Sequence, residues 1–141
     1  MKIFDFIVCD DIRFEINNKN TLIGIYDDLN FNVDKLSLDQ WPKAMKLGFF
    51  VRIKLEPSDE IDEFQLEFFL NEKEISKARG LINNPIEKSL LLNIALVNNN
   101  FIIPNKGIIS FKLKFFNSKK LVCELEPDYK LKVDVTEVQM G

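Results

Sequence analysis

The densest polar stretch of the sequence is Cys9-Asp10-Asp11-Ile12-Arg13-Phe14-Glu15. Ile12, Phe14 and Ile16 share one phase of a two-residue alternation, which sets Asp11, Arg13 and Glu15 side by side on the other. A carboxylate–guanidinium cluster of this kind can grip a polar ligand, because the arginine fork pairs with two acids. Asp10 and Asp11 could also act as the acid and base of a small hydrolase-like enzyme, since such chemistry does not strictly require histidine. The structural alternative is preferred: an aspartate bonds backbone amides where the strand bends, and Arg13 pins that bend. Cys9 has no histidine to activate it, because the chain contains none.

Three further sets of residues invite a chemical reading. Asp10/Asp11, Asp27/Asp28 and the run from Glu56 to Glu63 are acidic and lie near predicted strand ends. Loops at one end of a sandwich can pool such oxygens around calcium, as C2-type domains do. The Asp-x-Asp-x-Asn-Gly pattern of an EF-hand is absent, and most acidic loops are simply solvated, so no metal or other cofactor is assigned. Lys112, Lys114, Lys130 and Lys132, with Lys119 and Lys120, fall on the polar phase or turns of the last strands and form a candidate anion patch. No arginine and no outward aromatic stands between these lysines, which weighs against nucleic acid as the partner. The third set is apolar and on the wrong phase. Phe50 opposes Phe49 and Val51, Phe69 sits between Phe68 and Leu70, Leu91, Ala95 and Val97 oppose their strand's core phase, and Val122 does the same. Either a loop or helix covers that face, or it meets a protein partner or a second copy of the chain.

The elements that must position these residues are strands. Leu47, Phe49, Val51, Ile53 and Leu55 alternate with polar residues, as do Phe64, Leu66, Phe68 and Leu70. The pattern returns at Leu90, Leu92, Ile94 and Leu96, at Ile109, Phe111, Leu113 and Phe115, at Leu121, Cys123 and Leu125, and at Tyr129, Leu131, Val133 and Val135. Each reads as a strand with one face in a core and one in water. Asn17-Asn18-Lys19-Asn20, Asn98-Asn99-Asn100, Asn105-Lys106-Gly107 and Asn117-Ser118-Lys119-Lys120 are read as hairpin turns. Residues 34–45 predict a loop with one helical turn. Residues 71–88 predict a short hairpin or a helical turn near Glu72–Arg79 stopped by Gly80.

At 141 residues the chain is about one domain long, and no linker, repeat or low-complexity segment divides it. Its 19 basic and 22 acidic residues leave a formal charge of −3, and 46% of residues are hydrophobic, including 13 phenylalanines. Disorder and a disulfide scaffold are excluded. No apolar run reaches the roughly 18–20 residues of a membrane-spanning helix. Asp5 interrupts the apolar N-terminus, which argues against a signal peptide. Cys9 and Cys123 lie in no ligand spacing, so free thiols in a reducing cytoplasm are expected.

The run Cys9-Asp10-Asp11-Ile12-Arg13, then Glu15, Lys19, Thr21 and Leu22-Ile23-Gly24-Ile25-Tyr26, resembles the start of an uncharacterised family of small bacterial proteins, a domain of unknown function. The resemblance covers roughly residues 4–50. It implies a compact β domain in a bacterial or prophage-like setting, and it carries no catalytic residues. The Asn17-Asn18 turn departs from the expected glycine, and asparagine can take the same conformation. Together these readings predict one all-β domain over 1–141, an antiparallel immunoglobulin-like or C2-like sandwich of seven to nine strands. The expected function is a non-enzymatic interaction module, acting through the sheet face around Phe50, Phe69, Leu91 and Val122 or through an edge strand.

Overall fold

The computed structural model describes residues 1–82 and 91–138. The alternating segments form an all-β sandwich of ten strands among these residues: β1 Lys2–Glu15, β2 Lys19–Tyr26, β3 Asp28–Val33, β4 Lys43–Lys54, β5 Glu63–Leu70, β6 Lys73–Leu81, β7 Leu91–Ile103, β8 Gly107–Asn117, β9 Lys120–Leu125 and β10 Leu131–Glu137. The expected seven to nine strands are exceeded partly because β6 carries no apolar phase. Its positions opposite Phe68, Leu66 and Phe64 are Ser76, Ala78 and Gly80, so periodicity alone does not mark it.

One sheet runs β2-β1-β4-β7 and the other β3-β10-β8-β5-β6, with β9 also paired to β8. Pairing is antiparallel except for β3, which lies parallel to β10. The β5–β6 turn takes the hairpin option of the two expected for 71–88, with Asn71 and Glu72 both at positive φ. The β8–β9 turn does the same through Ser118 and Lys119, the backbone geometry that two-residue hairpins favour. The part of that expectation over 83–88, and Leu90, lie outside the described residues. In 34–45 the helical turn is a short 3-10 segment, Lys35–Ser37, capped by the Asp34 carboxylate accepting from the Ser37 amide at 2.9 Å.

Two expected hairpin turns are corrected. Asn98–Asn100 lie inside β7, where the register against β4 slips between Met45 and Leu47 and accommodates a bulge. Asn105-Lys106-Gly107 does turn the chain, but it joins β7 to β8, which belong to different sheets. Turn residues mark where the backbone bends, and not which strand it meets next.

The core lies between the sheets. Phe49 and Phe68 have ring centroids 4.8 Å apart, Phe68 and Phe101 5.1 Å, and Phe6 and Phe111 4.6 Å, all in tilted or edge geometries that aromatic quadrupoles favour. Tyr129 crosses from one sheet to the other by donating its hydroxyl to the Tyr26 carbonyl at 2.6 Å.

The N-terminal hairpin departs from this plan. β1 pairs with β4 only as far as Cys9↔Gly48, while β2 pairs with β1 from Val8 to Glu15. Beyond Cys9 the two strands therefore continue as a ribbon. Opposite Asp10, Gly24 takes φ +66, and a Cβ there would collide with the Asp10 carboxylate. The inward–outward phase slips at this point. Cys9 and Ile12, an odd and an even residue, join one outer cluster with Phe50, packed by Ile7, Leu22, Ala95 and Val97. Gly48 clears the crossing, since a Cβ on it would sit 3.1 Å from both Cys9 Sγ and Ile12 Cγ1. The hairpin thus folds back across the outer face of its own sheet and carries Phe14 and Ile16 out to solvent, 69% and 83% exposed. Of Ile12, Phe14 and Ile16, which the alternation sets on one phase, only Ile12 is buried.

Two substitutions separate these environments. Phe49→Ala should cost about 3–5 kcal/mol by denaturant unfolding, the range for emptying a packed aromatic site. Phe14→Ala should change stability by no more than about 0.5 kcal/mol, as at an exposed position.

Candidate functional site

The polar cluster of the N-terminal segment is dispersed by the bend that its residues help to make. Asp10 accepts the Tyr26 hydroxyl. Asp11 is 3.1 Å from the Lys46 ammonium and accepts the Ile12 amide at 2.9 Å. Its carboxyl lies below the usual range, first because Lys46 donates to it and then because of the Ile12 bond. Glu15 accepts from Thr21 at 3.3 Å, and Arg13 forms no ion pair among the described residues. The structure therefore does not assemble Asp10, Asp11, Arg13 and Glu15 around one point. Asp10 and Asp11, adjacent in a strand, address different partners, Tyr26 and Lys46. An aspartate does bond the backbone at the bend, as the structural alternative requires; Tyr26 and Lys46 take the pinning role expected of Arg13.

The acidic loops have comparable local tasks. Asp59 Oδ2 accepts the Glu56 amide at 2.6 Å and lies 3.8 Å from the N-terminal ammonium. Asp62 accepts the Ser118 amide at 3.0 Å. Among the described residues no group of three or more His, Cys, Asp or Glu side chains could hold a metal ion, so the acids considered for calcium do not converge there. Burial raises the Cys9 thiol above its usual range, against its acting as a thiolate.

On the outer face of the second sheet, charge alternates from strand to strand. Glu67 of β5 faces Lys77 of β6 and Lys112 of β8, while Gln65 faces Arg79 and Lys114. Lys114 Nζ lies 2.9 Å from buried Glu67, and Lys112 Nζ lies 3.2 Å from Glu124 and 3.7 Å from Glu126. Arg79 donates to Gln65 at 2.8 Å. The Glu124 carboxylate holds the Lys112 ammonium pKa above its ordinary value. Lys130 lines a shallow hollow with Lys112, Glu72 and Glu126, and Lys132 stands in register with Asp28. The four lysines are interleaved with acids and do not form the single-sign patch that anion binding requires.

The apolar candidates divide. Phe50, expected on an exposed face, is 8% exposed beneath the hairpin. Phe69 is half-buried, with Lys112 Nζ 5.5 Å from its ring centre. Leu91 and Val122 are exposed. Leu36 and Leu81, 86% and 78% exposed, are among the largest apolar exposures, and the hairpin adds Phe14, Ile16 and Ile25. The signal for this was Gly24 between Ile23 and Ile25, a residue that often marks a bulge or bend in a strand.

No helix among the described residues is long and apolar enough to cross a membrane. A scan of protein-family models matched no family, and no curated protein matched the chain.

Two expectations follow from the charges. Lys114→Ala strands the Glu67 carboxylate in its buried position and should cost about 1–3 kcal/mol in denaturant unfolding, whereas Glu67→Gln, which removes the charge, should cost less. The phenols of Tyr26 and Tyr129 are both pushed up to about 12, chiefly by burial, then by Asp10 for Tyr26 and by Asp27 and Asp28 for Tyr129. Between their ordinary value near 10 and about 12 the folded state binds more protons than the unfolded, so stability should fall as pH rises through that window. Tyr129→Phe should flatten the fall in melting temperature over the same range.

Proposed function

We propose that this chain is a non-enzymatic binding module whose working surface is the edge of the β1–β2 hairpin. One observation carries the reading: four exposed apolar side chains stand together on one projecting element that is also a nearly uncharged sheet edge. Phe14, Ile16 and Ile25 are 69%, 83% and 60% exposed, and Ile23 adds to them. β2 is also the edge of its sheet, and Lys19 is its sole charged residue. The opposite design is seen in β6, an edge of the second sheet, which carries Lys73, Glu74, Lys77 and Arg79. Charged edges resist pairing with other chains, and uncharged apolar edges invite it. An extended partner strand would add beside Lys19–Ile23, ahead of the kink at Gly24, with main-chain bonds supplying affinity and Ile23 and Phe14 supplying apolar contact. The two free cysteines, Cys9 buried and Cys123 half-buried, support a reducing compartment. The N-terminal resemblance supports a prophage or mobile-element setting and assigns no activity.

The test compares crosslinked partners captured in cells by the wild-type chain, an Ile23→Lys/Ile25→Lys variant and a Val122→Lys control, followed by binding of the purified pair. The module reading expects a partner held by wild type and control and lost by the hairpin variant. A partner retained by the hairpin variant overturns it, as does equal loss in both variants. Sedimentation of the same three proteins shows whether the partner is a second copy.

A further inference from the structure

The first half of β1 is a second open edge of its sheet. β4 pairs with β1 from Lys2 to Cys9, but β2 pairs with it only from Val8 onward. On the side away from β4, the main chain over residues 2–7 therefore has no strand beside it among the described residues. A groove of about 380 Å³ runs along this flank, with residues 2–6 on one wall and 125–129 on the other. Side chains alternate between the two faces of a strand. Phe6 packs into the core and Asp5 meets Arg52 at 3.4 Å on the opposite face, yet both line this groove. What the groove exposes is thus the main-chain edge of the strand, and not one of its faces.

Local features keep this edge open. β2 ends at Tyr26, opposite Val8, and the Tyr129 hydroxyl holds the Tyr26 carbonyl at 2.6 Å, so the chain is anchored at the groove's end. On the other wall β9 stops at Leu125, and Pro127 has no N–H with which to extend a ladder. Phe4 sits where the β1–β4 register slips between Ile3 and Asp5, and its ring is 55% exposed.

Charge is unequal along the groove. Phe6 and Tyr129, with ring centroids 5.9 Å apart, mark one end, and Lys2 lies toward the other. Asp128 adjoins Tyr129, whose phenol is pushed up by burial and then by nearby Asp27 and Asp28. None of these three aspartates forms an ion pair among the described residues, whereas Asp5 is taken by Arg52 and Glu126 by Lys112.

We propose that this groove receives an extended segment of a partner protein, added antiparallel to β1 with a lysine or arginine at the segment's N-terminal end. An unpaired row of N–H and C=O groups is matched along its length by another main chain. The segment is about five residues long, since residues 2–6 span ~16 Å at the rise of a strand. Antiparallel addition continues the pairing sense of β1 with β2 and β4, and it brings the segment's first residue to Phe6 and the three aspartates. Phe4 offers its ring to an apolar side chain. The groove lies at the end of β1 opposite the hairpin tip, so it stands or falls apart from the hairpin reading.

The probe is the blocked pentapeptide acetyl-Lys-Val-Thr-Val-Thr-amide, titrated into the full chain and followed by heteronuclear NMR, beside its counterpart with Glu in place of Lys. Saturable shifts are expected at Ile3, Phe4, Asp5 and Tyr129. The lysine peptide should bind about fivefold or more tightly than the glutamate peptide, a preference that Asp128→Lys removes. Alternate amides of an added strand face β1, so methylating one or the other alternate set in the lysine peptide should abolish binding for at least one set. The Ile23→Lys/Ile25→Lys variant should bind the lysine peptide as wild type does. The proposal is overturned if millimolar lysine peptide gives no saturable shift, or if both methylated peptides bind as their parent does. Shifts at Lys19–Ile23 instead, or loss of binding in the hairpin variant, would put the peptide on the hairpin edge and overturn it as well. Equal binding of the two parent peptides, or a preference that survives Asp128→Lys, overturns the basic end of the segment.

Discussion

Phe50 lies on the outer face of the four-stranded sheet, between strands whose other face already fills the core. A large aromatic side chain there must be covered, and the chain covers it with its own N-terminal hairpin. That single requirement explains the bend at Asp10, the positive φ of Gly24 opposite it, the absent side chain at Gly48 and the slip that puts Cys9 and Ile12 in one cluster. The same fold-back explains why the hairpin tip is apolar and exposed. The face that turns down onto Phe50, Ala95 and Val97 carries Ile12 and Leu22, and Phe14 continues that face past the covered area into solvent.

The second sheet solves the problem of its outer face differently. Glu67, Lys112, Lys114, Glu124 and Glu126 alternate across β5, β8, β9 and the chain just beyond β9, so the long lysine side chains shield apolar area with their stems and satisfy acids with their heads. Partly exposed pairs of this kind add modest stability, but they leave a neutral surface with little to offer a charged ligand. The two sheets therefore differ in character. One is closed by charge, and the other is closed by a hairpin whose tip carries exposed Phe14 and Ile16.

Much of the architecture was legible in the sequence, because strands with one buried face announce themselves by alternation. The segments around Phe49, Phe64 and Phe111 needed no tertiary information, and Asn17 takes the positive φ that its turn requires. What escaped was set by tertiary context. The Asn98–Asn100 run looks like a turn and serves as a bulge, because β4 continues to pair on both sides of it. β6 was hidden by the small residues Ser76, Ala78 and Gly80, whose purpose shows only against the large residues of β5. The polar cluster at residues 9–15 was visible as a cluster; its use in shaping a bend, through Tyr26 and Lys46, depended on partners distant in sequence.

The claim on which the account rests is that the hairpin of a single chain seats on Phe50. Nuclear Overhauser contacts in a dilute, monomeric sample test it most directly, with the methyls of Ile12 and Leu22 labelled against the ring of Phe50 and the methyls of Val97. The account predicts strong contacts from both Ile12 and Leu22 to this cluster, unchanged on further dilution. Their absence, or their loss as the sample is diluted, would contradict it.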